Sequence, residues 1–64
     1  MTRKDYVLIA AAIKARRDLA SAARRSSEFL GGIDAAAETI AAALALDNQR
    51  FDLERFIKAC GVQS

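Results

Sequence analysis

The sequence predicts an all-α fold: one small domain of three helices, spanning residues 1–64, that completes its core by pairing with a second copy. Three observations predict it. Strong helix formers, chiefly Ala, Leu, Arg, Glu and Lys, dominate the 64 residues and no proline interrupts them. Apolar residues recur at helical rather than alternating spacing. The hydrophobic fraction of 53% is 34 residues, but 15 of these are Ala; with Cys60 also set aside, 18 larger apolar side chains remain. Alanine buries little surface, and burial contributes only about 25 cal/mol per Å². A chain this short buries about 60% of its unfolded surface and is marginal alone. Disulfides, metals or a second subunit usually make up the difference. One Cys cannot form an intramolecular disulfide, and the absence of His with a single Cys excludes the common zinc sites. A homo-oligomer, with a dimer favoured, is the expectation, and no cofactor is expected.

The first helix starts near Arg3. Thr2 followed by Asp5 imitates a capping box, with Asp in place of the usual Glu. Ile9, Ala12, Ile13 and Ala20 share one side of it, with Leu8, Ala15 and Leu19 beside them. The helix is expected over Arg3–Arg17, and its continuation through Asp18–Arg25 is left open. Continued helix places Arg16 among Ala12, Leu19 and Ala23, which requires its stem to snorkel to solvent. A break between Arg17 and Ser27, with Ser21, Ser26 or Ser27 capping the next segment, is the other reading.

Gly31-Gly32 is the clearest breaker in the chain. The second helix is therefore expected from Gly32 or Ile33 to Leu46. Ile33, Ala37, Ile40 and Leu44 form its core stripe, Phe29 and Leu30 pack onto it from outside, and Asp34 and Glu38 sit near its N-terminus, where the macrodipole favours anions. Asp47-Asn48-Gln49-Arg50 reads as a turn. Asp52 then caps a short helix over Leu53–Cys60, Phe51 staples onto Phe56 across that cap, and Gly61 closes the C-terminus in a left-handed conformation.

Ten Lys+Arg oppose eight Asp+Glu, but unevenly: residues 1–32 carry a net +4 and residues 33–64 a net −2. Such polarity favours antiparallel pairing of helices or subunits, against the plainer reading of two solvated faces. The apolar run Tyr6–Ile13 is far short of the roughly 20 residues of a membrane span. Lys14, Arg16 and Arg17 stand where a signal peptide would need a neutral cleavage site. The expectation is a soluble protein of the bacterial cytoplasm with no membrane span, and the lone Cys agrees with a reducing compartment.

Two end signatures occur together. One is Thr2-Arg3-Lys4-Asp5-Tyr6 with Ile9-Ala10. The other is Leu46-Asp47-Asn48-Gln49-Arg50-Phe51-Asp52 with Arg55-Phe56 and Ala59-Cys60-Gly61. At both ends the chain resembles small uncharacterised proteins of bacteriophages and prophages, whose tail commonly reads D-N-P-R-F-D-x-x-R-F-x-x-A-x-G. Gln49 stands where those often have Pro, which loosens the turn. Lys14 to Leu30 carries none of the resemblance. It implies a phage or prophage setting, in which small proteins bind and redirect host proteins, including defence systems such as CRISPR complexes.

Catalysis is not expected. Asp34 and Glu38 at i, i+4 share a helix face, but no His, third ligand or base accompanies them. Ser21, Ser26 and Ser27 lack a base and read as caps. Cys60 reads as a small buried hydrophobe. Gly31-Gly32 lacks the Lys-Ser/Thr or further glycines of a phosphate loop. Two clusters remain as candidate contact sites. Lys14, Arg16, Arg17, Arg24 and Arg25 place five cations within twelve residues, opposed only by Asp18, and suit phosphate contacts or an acidic partner. Arg50, Phe51, Asp52, Arg55 and Phe56 form either a structural tail or a recognition hot spot, since arginine and aromatic side chains serve both. The expected function is non-enzymatic: a phage or prophage accessory protein that binds a host or phage protein. The alternative is a small basic nucleic-acid-binding protein.

Overall fold

The computed structural model describes residues 2–62 and has three helices: α1 Arg3–Ala22, α2 Ser27–Asp47 and α3 Leu53–Ala59. Among these residues there is no strand, and each helix packs against the other two. The expected all-α three-helix domain is the fold observed.

α1 begins where the capping box places it. The Asp5 amide donates to Thr2 Oγ1 (3.4 Å) and the Thr2 amide donates to Asp5 Oδ2 (2.9 Å). It runs unbroken to Ala22, which decides the open question in favour of continued helix. It ends in a Schellman motif: the Arg25 amide donates to Ala20 O and the Arg24 amide to Ser21 O, both at 3.0 Å. Arg24 holds the left-handed position, with φ +56°, that glycine normally fills. The core side of α1 carries Tyr6, Ile9, Ala10, Ile13, Arg17 and Ala20. Ile9, Ile13 and Ala20 thus face inward as expected, and Ala12 does not. Ala12, Ala15, Leu8 and Leu19 point outward, and the charged residue on the inner side is Arg17 rather than Arg16.

Gly31-Gly32 does not break the chain. α2 starts upstream at Ser27, capped by Ser26, whose Oγ accepts the Phe29 amide (3.2 Å), and the two glycines lie in its second turn. Each glycine costs about 1 kcal/mol against alanine in a helix. Good helix formers on both sides and a complete cap outweigh that cost. Phe29 and Leu30 consequently belong to the first turn of α2, while Asp34 and Glu38 lie well inside the helix. Its buried positions are Ala37 and Ala41, with Ile33 and Leu44 partly covered and Ile40 on the exposed edge.

α3 follows the expected pattern. Asp52 Oδ1 accepts the Arg55 amide (3.0 Å), and the Phe51 and Phe56 rings meet at 5.4 Å across the cap. A second Schellman motif closes it, with Gly61 at φ +84° and the Val62 amide donating to Ile57 O. Val62 folds back into the core beside Cys60, Ala10, Ala37, Ala41 and Phe56. Among the described residues, four of the seven buried ones are alanines. Such small side chains let helix axes approach toward the low end of the usual 8–10 Å separation.

Three outcomes follow for stability. A Cβ at Gly31 or Gly32 meets nothing within 4 Å. The double variant Gly31→Ala/Gly32→Ala should therefore gain about 1–2 kcal/mol and raise Tm by roughly 4–8 °C per kcal/mol. Arg24→Gly should add about 1 kcal/mol by relieving the left-handed strain. Gly61→Ala should do the reverse, because φ is positive there and the new Cβ would lie 3.3 Å from Lys14 Cγ. Thermal melts followed by circular dichroism check all three. The Thr2 amide, and then the Thr2 hydroxyl, hold the Asp5 carboxyl below its ordinary value of 3.8. The cap contribution is thus complete above that value and lost as pH falls through the lowered one. Amide exchange should show the first turn of α1 opening first on acidification, with Asp5→Asn flattening the response.

Candidate functional site

The fold brings the two end signatures together. The Tyr6 ring meets Phe51 edge-on at 4.8 Å, and Phe51 in turn meets Phe56, so the start of α1, the turn before α3 and α3 itself share one aromatic column. Asn48 fixes the turn from both sides. Its Nδ2 donates to Tyr6 Oη (3.3 Å) while its Oδ1 accepts the Arg50 amide (3.0 Å). Beside the column lies an open groove of about 450 Å³, lined by Arg3, Arg50 and Arg55, by one acid, Asp52, which caps α3, and by Tyr6, Val7 and Phe51.

Within the tail cluster the structure separates the roles. Phe56 is buried, 4% exposed, in the core, and Phe51 is half-buried and lines the groove. Asp52 caps α3. Arg50 and Arg55 are exposed on the groove and make no ion pair with any described residue. Arg3, Tyr6, Val7 and Asn48 were absent from the sequence-derived cluster, although the pairing of the two end signatures was the available signal.

Two of the five cations in the basic cluster are paired within the chain. Lys14 Nζ pairs with Asp18 at 2.7 Å. Arg17 donates to both carboxylate oxygens of Asp34, at 2.7 and 3.3 Å, in a half-buried bridge between α1 and α2. That hydrogen bond, with the nearby Asp34 charge assisting, raises the Arg17 pKa above its ordinary value. Arg16 and Arg25 stand over the Phe29 ring, at 5.6 and 4.1 Å from its centre. Arg24 forms the turn. The five cations thus do not compose one free patch.

Cys60 is fully buried, and burial pushes its thiol pKa up, away from reactivity. Among the described residues, no three His, Cys, Asp or Glu side chains gather as a metal site. By length and composition α2 is apolar enough to cross a membrane, a property hidden from a reading that divided it at Gly31-Gly32. In this fold its inward Asp34 is paired with Arg17. Comparisons with protein-family models, curated proteins and solved structures return no match.

Truncating Phe56 to Ala should cost about 3–5 kcal/mol and abolish the cooperative melt, because a domain of this size has only about 3–5 kcal/mol in total. Asp52→Ala should cost about 0.5–2 kcal/mol. Arg17→Ala should cost about 1.5–3 kcal/mol, since it strands a half-buried carboxylate. Chemical and thermal denaturation of the three variants measures the order.

Proposed function

We propose that this is a non-enzymatic binding protein that recognises an acidic segment of a protein partner in the groove between its two ends. One observation carries the reading: Arg3, Arg50 and Arg55 line a single groove together with Tyr6 and Phe51, and no ion pair with a described residue occupies these guanidinium groups. Guanidinium forks match carboxylates bidentately, and an aromatic lining supplies apolar contact alongside. Arginine beside aromatic residues is also the composition of interface hot spots. The phage or prophage setting implied by the end motifs makes a host or phage protein the natural source of such a segment.

Nucleic-acid binding has weaker support. Phosphate tracking needs a run of free cations. Lys14 and Arg17 are paired with Asp18 and Asp34, and Arg16 and Arg25 lie on Phe29.

Fluorescence anisotropy with a labelled peptide of Glu and Asp flanking one aromatic residue, and with duplex and single-stranded DNA, separates the readings. The peptide should bind at physiological salt. Arg50→Ala/Arg55→Ala should weaken it at least tenfold per lost charge-assisted contact while leaving the melt unchanged. DNA binding that persists at physiological salt and falls on Arg24→Ala/Arg25→Ala would reverse the ranking.

A further inference from the structure

The outer side of α1 carries a stripe that its own fold does not cover. At 100° per residue, Leu8, Ala12, Ala15 and Leu19 fall within about 60° of one another, on the side opposite Tyr6, Ile13 and Arg17. Ala11 and Ala22 flank them on one edge, and Arg16, whose guanidinium lies over Phe29, borders the other beside Ala12 and Leu19. Leu8 is 70% exposed and Leu19 61% exposed, whereas the buried positions of the same helix are the alanines Ala10 and Ala20. The helix thus turns Tyr6, Ile9, Ala10, Ile13 and Ala20 inward and leaves Leu8 and Leu19 outward.

We infer that this stripe is the interface of a two-fold symmetric dimer in which α1 packs antiparallel against α1 of a second copy. The pattern itself selects the occupant. Leu8, Ala12, Ala15 and Leu19 are separated by four, three and four residues, so the order Leu-Ala-Ala-Leu reads the same in both directions. A two-fold interface requires a surface complementary to itself. In an antiparallel pair, Leu8 lies beside Leu19 of the partner subunit and Ala12 beside Ala15 of the partner subunit. The four alanines at the centre allow close approach of the axes, and the leucines close each end. Positions repeat at seven residues, 8 to 15 to 22 and 12 to 19, which is the repeat of a helix-pair seam.

The surface area agrees. A folded chain of 6.9 kDa is expected to expose about 4000 Å², and this one exposes 4853 Å². The surplus of about 850 Å² belongs to the whole elongated chain, Leu46 and Leu53 included, and leaves room for the roughly 500 Å² per subunit that a specific interface requires. The radius of gyration, 11.7 Å, also exceeds the approximately 10.7 Å of a compact 64-residue domain.

Sedimentation or light scattering of the whole chain should give about twice 6.9 kDa at micromolar concentration. Because both leucines are exposed in the folded chain, Leu8→Glu and Leu19→Glu should remain helical yet weaken the dimer at least a hundredfold. The double variant Leu8→Lys/Leu19→Glu tests direction. In the antiparallel pair each introduced lysine faces an introduced glutamate, so it should dimerise more tightly than either Glu variant, whereas a parallel pair would set like charges together. Ala35→Glu, on the outer face of α2, should leave the mass unchanged. A monomeric wild-type chain would overturn the inference, whether it stays free or floats with lipid vesicles. So would a dimer that survives Leu8→Glu but is lost on Ala35→Glu.

Discussion

The Tyr6–Phe51–Phe56 column is the contact on which the rest of the molecule depends. The core around it is built from alanine, Cys60 and Val62, which fill space and contribute little area. With Ile9, Ile13, Leu44 and Ile57 packed around that core, the aromatic column ties the start of α1, the turn after α2 and the short α3 together. α3 has seven residues and could not persist as an isolated helix. It exists because Asp52 caps it, Gly61 closes it and Phe56 anchors it. The groove arginines inherit their placement from the same column: Arg50 follows the Asn48 turn, and Arg55 precedes Phe56 on the anchored helix.

At the other end of the molecule a second, polar fastening replaces bulk. Ala20 fills the narrow space between α1 and α2, and the Arg17–Asp34 bridge spans it. A half-buried ion pair of this kind gains from its two-point hydrogen bonding and loses strongly if one partner is removed. Phe29, half-buried in the first turn of α2, is covered by Arg16 and Arg25. Bulk is thus concentrated at the groove end, and charge does the joining at the turn end.

Local chemistry made the helix termini legible. Thr2, Asp52 and Gly61 each carry a signal that acts over three or four residues, and each occupies the expected place. The errors arose where a long-range choice overrode a local one. Gly31-Gly32 is a breaker by composition, but two glycines cannot outweigh a Ser26 cap and the packing of Leu30, Ile33 and Ala37 on one side. Both sides of α1 are apolar: Ile9, Ile13 and Ala20 face inward as expected, while Ala12 and the neighbouring Leu8, Ala15 and Leu19 belong to the outer side. Periodicity alone cannot say which of two stripes faces inward. Among the site residues, Arg50, Phe51, Asp52, Arg55 and Phe56 were visible as a cluster because they are contiguous. Arg3 and Tyr6 were separated from them by more than forty residues and joined only by the fold. The basic cluster dissolved for the converse reason: Asp34, which takes Arg17, comes from a different helix.

The two stripes of α1 also connect the proposed groove to the proposed dimer. Arg3 and Lys4 stand at the N-terminal end of α1, and Arg24 and Arg25 stand just beyond its C-terminal end. An antiparallel pair brings the first set of one subunit near the second set of its partner, at both ends of the seam. Like charges brought together oppose association, and the opposition weakens with ionic strength. An acidic segment lying in the groove offsets the same repulsion. Binding of that segment and pairing of the subunits therefore assist one another, and by linkage the assistance is equal in both directions. In the proposed dimer the net +4 of the first 32 residues would thus couple the two contacts: the chain pairs by itself, and pairs more tightly when an acidic segment is bound.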